Sequence, residues 1–218
     1  MDFMDISKMR ITTRQFDKRP VEKDKTDRIL EAGRWSPTAM DAQPQRILVL
    51  DRPEQLDKVR AFCTFGIREE YREIDENCDQ GDEEHNVFYY GAPLVLLVCF
   101  DRTVCWSHPE SGETSGVVDA TIVTTHMMLE AASLGLGTVW ISYFDKDKAR
   151  EMLRIPENYE ILCMLYIGYA AADFRPNRKL SGQRFPVSHT CFSGSFDTPY
   201  RTDFVNDFKD PRLEDPEN

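Results

Sequence analysis

Residues Val117 to Leu134 constrain this chain more than any other stretch. Val117, Val118, Ala120, Ile122, Val123, Met127, Met128, Leu129, Ala131 and Ala132 cover nearly the whole circumference of a helix. A surface helix carries one apolar stripe and one polar face. A helix that is apolar all round must be covered on most sides, by its own domain or by a partner subunit. Gly135 and Gly137 supply a stop at its end, and Thr138 to Ser142 then reads as a short strand. The fold has to surround this helix and turn sharply out of it.

The other elements follow from pattern. Pro20 to Arg34 reads as a helix, with Pro20 in its first turn. Pro37 to Pro44 is a loop between two prolines, and Arg46 to Leu50 a short apolar strand. Pro53 to Phe62 reads as a second helix, and Asp145 to Leu153 as another, capped by Asp145. Pro93 to Phe100 and Ile161 to Tyr169 are continuous apolar runs of buried-strand length. Glu69 to Glu84 is acidic, an exposed helix or a mobile segment, and Arg102 to Gly116 is irregular. No repeat or linker interrupts this order. The expectation is one mixed α and β domain over residues 1–180, with 181–218 as an extension rich in Pro, Ser, Thr and Asp that wraps over a surface.

Composition removes several function classes. The chain has 218 residues, 41% hydrophobic and 30% charged, which suits a globular domain with a real core. Its formal net charge is −11, so neither a nucleic-acid backbone nor an anionic membrane surface is attracted to it. No apolar run approaches the roughly 20 residues that span a bilayer, and Met1 to Arg10 lacks the apolar core of a secretory signal. The six cysteines are scattered without a C-x-x-C pair, as expected for reduced thiols in a cytoplasmic protein. Cys105 and His108 lie close together, but no second pair completes a metal site. There is no G-x-S-x-G, H-E-x-x-H or P-loop, and His126, on the apolar helix, reads as a core histidine.

Four anchors remain. Arg10-Ile11-Thr12-Thr13-Arg14 puts two guanidiniums and two hydroxyls within five residues, donors that suit phosphate or a solvated basic turn. Ser36 to Pro44 is a small, polar, proline-stiffened loop, in which Gln43 offers both an amide donor and an acceptor. Leu134 to Ser142 carries glycines that fail the dinucleotide fingerprint, because they follow a helix and precede a strand. Ile167-Gly168-Tyr169-Ala170 ends a buried strand, and the cations Arg175, Arg178 and Lys179 follow.

In this order and spacing, over roughly residues 8 to 180, the four anchors resemble the nitroreductase family of flavoproteins. The family's R-x-S-x-R-like opening matches Arg10 to Arg14, its (S/A)-P-S-x-x-N-x-Q-P-W-like loop matches Ser36 to Gln45, its G-L-G-x-x-W-I matches Gly135 to Ile141, and its I-G-Y-P-like strand end matches Ile167 to Ala170. The resemblance implies an α+β fold, an α/β/α sandwich around a mostly antiparallel sheet. It implies a homodimer centred on the long apolar helix, with FMN at the interface. It implies FMN contacts from Arg10, Ile11, Thr12 and Arg14, completed by Arg178 or Lys179 at the phosphate. Pro37, Thr38, Ala39 and Gln43 are implied from the loop, which the other subunit supplies, and Trp140, Ile141 and Ser142 on the ring's other face. The implied activity moves electrons from NADH or NADPH, through flavin N5, to a small conjugated acceptor such as a nitroaromatic or quinone. No protein acid or base is needed for the first half, so no catalytic side chain is nominated. The alternative is a non-catalytic flavin-storage protein of the same fold. The chain departs from the family pattern at Asp41, where Asn is frequent, at Gln45, where Trp is usual, and at Ser142-Tyr143, where small residues are frequent. Phe62 to Gly91 aligns with nothing in the pattern and is expected, with Tyr143, to shape acceptor choice.

Overall fold

A computed structural model of the chain describes residues 2–63, 90–175 and 184–202. The chain divides into two compact units, Met1–Phe174 and Arg175–Asn218. The first holds, in order, α1 (Phe3–Met9), α2 (Lys23–Arg34), β1 (Gln45–Leu50), α3 (Pro53–Phe62), β2 (Leu94–Asp101), α4 (Gly116–Ser133), β3 (Gly137–Ile141), α5 (Lys146–Leu153) and β4 (Tyr159–Gly168). The described part of the second contains one helical turn, α6 (Val187–Thr190), and a bridge between Phe192 and Pro199.

The four strands form one sheet in the order β1-β2-β4-β3, and all neighbours run antiparallel. Every residue of β2 is buried, as its unbroken apolar run requires of a strand covered on both faces. Side chains alternate between two cores. Val95, Leu97, Cys99, Met164 and Tyr166 face one, with Val59 and Phe62 of α3 and Ala149 of α5. Leu94, Leu96, Val98, Leu165 and Ile167 face the other, with Ile29 of α2 and Ala120, Val123 and Met127 of α4. The result is a helix–sheet–helix sandwich. The register of β4 against β2 shifts between Val98 and Cys99, and the shift sends Ile161 and Cys163 to opposite cores.

Helix α4 runs within one residue of its expected bounds. Its inner face is fully buried, and α2 lies along it, with Arg28 reaching Glu130 at 2.7 Å. Its outer face is left open at its start among the described residues: Val117 and Val118 are 54% and 60% exposed. His126 is also exposed on this helix, so it is not the core histidine its apolar neighbours suggest. The helix ends in a Schellman cap. Gly135, at φ +75°, donates to Ala132 O, and Leu136 donates to Ala131 O.

Most boundaries lie within a residue or two of expectation. Helix α2 starts later, at Lys23 and not Pro20, since Glu22 is its extended N-cap and its carboxylate is held by Tyr169. Helix α1 is unforeseen. A capping box between Asp2 and Asp5 starts it, and it buries none of its residues, so no apolar periodicity announces it. The acidic stretch Glu69–Glu84 lies outside the described residues. No described helix is long and apolar enough to cross a membrane.

Candidate functional site

The basic segment that follows α1 is extended. Thr12 pairs with Thr138 of β3, Thr13 N–H donates to Thr138 O at 2.9 Å, Phe16 pairs with Ala170, and Ala171 N–H donates to Gln15 O. An extended chain sends successive side chains to opposite sides. Thr12 is accordingly exposed, while Thr13 is fully buried. A cleft of about 180 Å³ opens here, lined by Met9, Arg10, Ile11, Thr13, Ala132, Gly135 to Thr138, and Ala170. Three of the four sequence anchors, far apart along the chain, therefore meet at one place: the basic segment, the Gly135-Leu136-Gly137 turn and the end of β4.

Gly137 makes the approach possible. A Cβ there would lie 2.3 Å from Thr13 Oγ1 and 2.7 Å from Thr13 Cβ. The second glycine of the turn thus serves close packing of the basic segment on β3. The hydroxyls of Thr13 and Thr138 are both buried without a hydrogen-bond partner, and both residues stand in the wall of the cleft. Arg10, among the lining residues, gives the cleft a charged donor of the kind that suits a phosphate, while the two threonine hydroxyls lie buried behind the wall. Thr13 is the site residue that sequence reasoning passes over. Strand alternation between Thr12 and Thr13 is the signal that marks it. Arg14 is half-buried beside the cleft and is not among its lining residues. Arg178 and Lys179, nominated for the phosphate, lie outside the described residues.

At the end of β4 a charged latch holds the entry of α2. The Tyr169 hydroxyl donates to Glu22 at 2.7 Å and accepts from Lys25, and the Arg19 guanidinium stacks 3.2 Å from the Tyr169 ring centroid. The tyrosine's hydrogen bond holds the Glu22 carboxyl below its ordinary value and the Lys25 ammonium above its own.

The loop anchor lies elsewhere. Ala39 N–H donates to Asp119 Oδ1 at 2.9 Å, so Pro37, Thr38 and Ala39 sit at the N-terminal end of α4. The basic cleft sits at the C-terminal end. The 13 residue steps from Asp119 to Ala132 correspond to about 20 Å of helix. Within one chain, the structure does not bring the loop to the cleft. The loop itself is strained: Met40, Asp41 and Gln43 all have positive φ, at 53°, 53° and 47°. Each such non-glycine residue costs on the order of 1 kcal/mol and persists only where its surroundings hold it. Here the Gln43 N–H donates to Thr38 Oγ1, and the Gln43 amide donates to Asp41 Oδ1. Asp41 and Gln43, two of the loop's polar groups, thus face each other. Gln45, at the departure from the family pattern, opens β1 with a buried Oε1 that has no partner.

Trp140, Ile141 and Ser142 close β3. The Trp140 indole N–H donates to Ser142 Oγ at 2.7 Å, and Trp140 packs half-buried on the α4 side of the sheet. Ile141 is only 7% exposed and commits its side chain to the opposite core. Its backbone alone is left for a ligand. Ser142 and Tyr143 are exposed beyond the strand.

Comparison with known proteins identifies the family and its fold. The model of the nitroreductase family matches residues 8–169, a span that runs from the basic segment through α4 to Tyr169. A solved nitroreductase family protein from Clostridium difficile 630 is 32% identical, with a TM-score of 0.72, covering 89% of this chain and 99% of that one. A nitroreductase with bound FMN from Bacteroides fragilis is similar in fold, at 22% identity and a TM-score of 0.61 over 80% of this chain and 92% of that one. A Methanothermobacter thermautotrophicus protein, provisionally named NADH dehydrogenase/NAD(P)H nitroreductase, is 26% identical over 175 residues, 78% of each chain. The order of the anchors, the antiparallel sandwich that gathers three of them, and a family match over most of the chain lead to one conclusion: the chain belongs to the nitroreductase family.

Proposed function

We propose that this chain is an FMN-dependent oxidoreductase that passes electrons from NADH or NADPH to a small conjugated acceptor, such as a nitroaromatic or a quinone, and that it works as a homodimer with shared flavin sites. The observation that carries this reading is the separation of the two ligand-suited groups by the length of α4. Two chains packed antiparallel along that helix would set the basic cleft of one beside the Pro37-Thr38-Ala39 loop of the other. The exposed valines on the outer face of α4 support such a pairing, because a second copy would remove them from water. The names of the relatives, an NADH dehydrogenase from Thermus thermophilus among them, support a nicotinamide donor.

The redox chemistry in this reading is supplied by the bound flavin. The protein's own task is holding and screening. Arg10 and Arg14, with Arg178 or Lys179, neutralise a phosphate, and Thr12 adds a neutral donor. Thr13 and Gly137 fix the basic segment against β3. Trp140, the Ile141 backbone and Ser142 form one wall, and Pro37, Thr38, Ala39 and Gln43 of the second copy form the other. No side chain is assigned a proton-transfer step.

The test is spectroscopic. Purified protein, reconstituted with FMN where necessary, is expected to be yellow and to bleach when NADH or NADPH is added without oxygen. A yellow protein inert to both donors would sink the reductase reading. A colourless protein that takes up no FMN would sink flavin binding with it.

A further inference from the structure

Asp119 is a carboxylate that the proposed reaction does not use. It stands in the first turn of α4 and is 2% exposed. Burying a carboxylate is costly unless its oxygens are bonded. Here Oδ1 accepts from Ala39 N–H at 2.9 Å and Oδ2 accepts from the Ser115 hydroxyl at 2.7 Å. Both donors are neutral, and the helix N-terminus favours the negative charge. What the carboxylate grips is telling. Ala39 opens the short 3-10 turn Ala39–Asp41, and left-handed residues follow at Met40, Asp41 and Gln43. A strained segment keeps its shape only when several contacts fix it. Asn or Asp could cap a turn from within its own loop, but Asp119 reaches across 80 positions of sequence to do so.

We infer that Asp119 is a positioning residue, which anchors the Pro37-Thr38-Ala39 wall to the rigid end of α4 and so sets where that wall meets the flavin bound by the partner's basic cleft. The inference rests on the shared-site reading above. It predicts that hydrogen bonding, and not charge, is what matters. The amide of Asn can still accept from Ala39 N–H through Oδ1, while its Nδ2 donates to a reoriented Ser115 hydroxyl.

Four proteins separate the possibilities: Asp119→Ala, Asp119→Asn, Ser115→Ala and the double variant Asp119→Ala/Ser115→Ala. Ser115→Ala deletes the donor to Oδ2 and leaves Ala39 bonded to a less firmly held carboxylate. It should be tolerated, because the Ser115 hydroxyl makes no capping hydrogen bond at the start of α4. The measurements are the FMN dissociation constant, the visible circular dichroism of bound flavin, and sedimentation to verify that each variant keeps the wild-type oligomeric state. Asp119→Ala is expected to weaken FMN binding about tenfold, the scale of one hydrogen bond, and to alter the flavin dichroism, with Asp119→Asn within about twofold of wild type. Ser115→Ala should shift FMN binding in the same direction as Asp119→Ala and by less, and the double variant should be no weaker than Asp119→Ala, because Ser115 acts on the loop only through Asp119. Wild-type affinity and dichroism in Asp119→Ala would overturn the inference. So would a loss in Asp119→Asn as large as in the alanine variant, or additive losses in the double variant. Should Asp119→Ala not fold, Asp119→Asn and Ser115→Ala still decide the matter: wild-type affinity in Asp119→Asn with a loss in Ser115→Ala supports the inference, and the reverse overturns it. Wild-type protein that binds no FMN is a different failure, that of the shared-site reading itself, and the inference falls with it.

Discussion

At the scale of single residues, the missing side chain of Gly137 sets the geometry of the basic cleft. The Thr13 atoms that a Cβ would meet cannot swing away, because Thr13 is fully buried and its N–H is bonded to Thr138 O. Gly137→Ala is therefore expected to cost about 1–3 kcal/mol, the range of an overpacked core, and to weaken FMN binding as the segment is pushed off β3. Denaturation and flavin titration of the same variant read both effects, and an alanine variant with wild-type stability would contradict the packing role. The buried thiols give a pH prediction. Burial pushes Cys63 and Cys99 up to about 11, and Cys163 up to about 12, from an ordinary value of 9.0. The unfolded chain releases these protons at lower pH than the folded chain does. Stability from this source is therefore full below pH 9.0 and falls as pH rises towards 11 to 12. The melting temperature should decline across that window, and Cys163→Ala should flatten the decline, whatever it does to stability at neutral pH. An unchanged slope would show that Cys163 contributes nothing to it.

At the scale of elements, what could be read from the sequence depended on how local the signal was. Helix α3 has the bounds its sequence suggests because Pro53 and the apolar face through Val59 and Phe62 are local marks. Strand β2 is an apolar run that no other element could use. The cap of α5 was also legible: Asp145 Oδ1 accepts from Lys148 N–H at 2.8 Å. Asp145→Ala should cost about 1 kcal/mol, visible as a lower urea midpoint at unchanged m-value, and a midpoint equal to wild type would remove the cap from the stability account. The meeting of Thr12 with Thr138 and of Phe16 with Ala170 was not legible by physical reasoning alone. Those bridges join residues more than 100 positions apart, and neither segment carries a pattern naming its partner. The family likeness implies the grouping, and its physical cause is a chain segment seated on the outer edge of β3 over a glycine. Thr13 was hidden for a different reason. Two adjacent threonines look alike in sequence, and only the direction of an extended strand tells the buried one from the exposed one.

At the scale of the whole molecule, the open question is what covers the outer face of α4. The sequence demands a cover, because the helix is apolar around its circumference, and the described residues provide one only for the inner face. In the proposed dimer the same surface does two jobs: it buries Val117 and Val118, and it brings together the two halves of each flavin site. The jobs can be tested with one substitution. Val118 is 60% exposed in the single chain and lies in the first turn of α4, where an aspartate is compatible with the helix N-terminus. Val118→Asp should therefore leave the isolated fold within about 0.5 kcal/mol of wild type, as exposed substitutions do, while placing a charge within the proposed contact. Sedimentation is expected to show a monomer, and the same sample is expected to lose FMN, because neither half-site closes a flavin pocket alone. A variant that becomes monomeric yet keeps its flavin would separate the two jobs and place the whole site within one chain. A variant that stays dimeric with flavin bound would move the interface to another face, and the loop at the N-terminus of α4 would then need a different ligand.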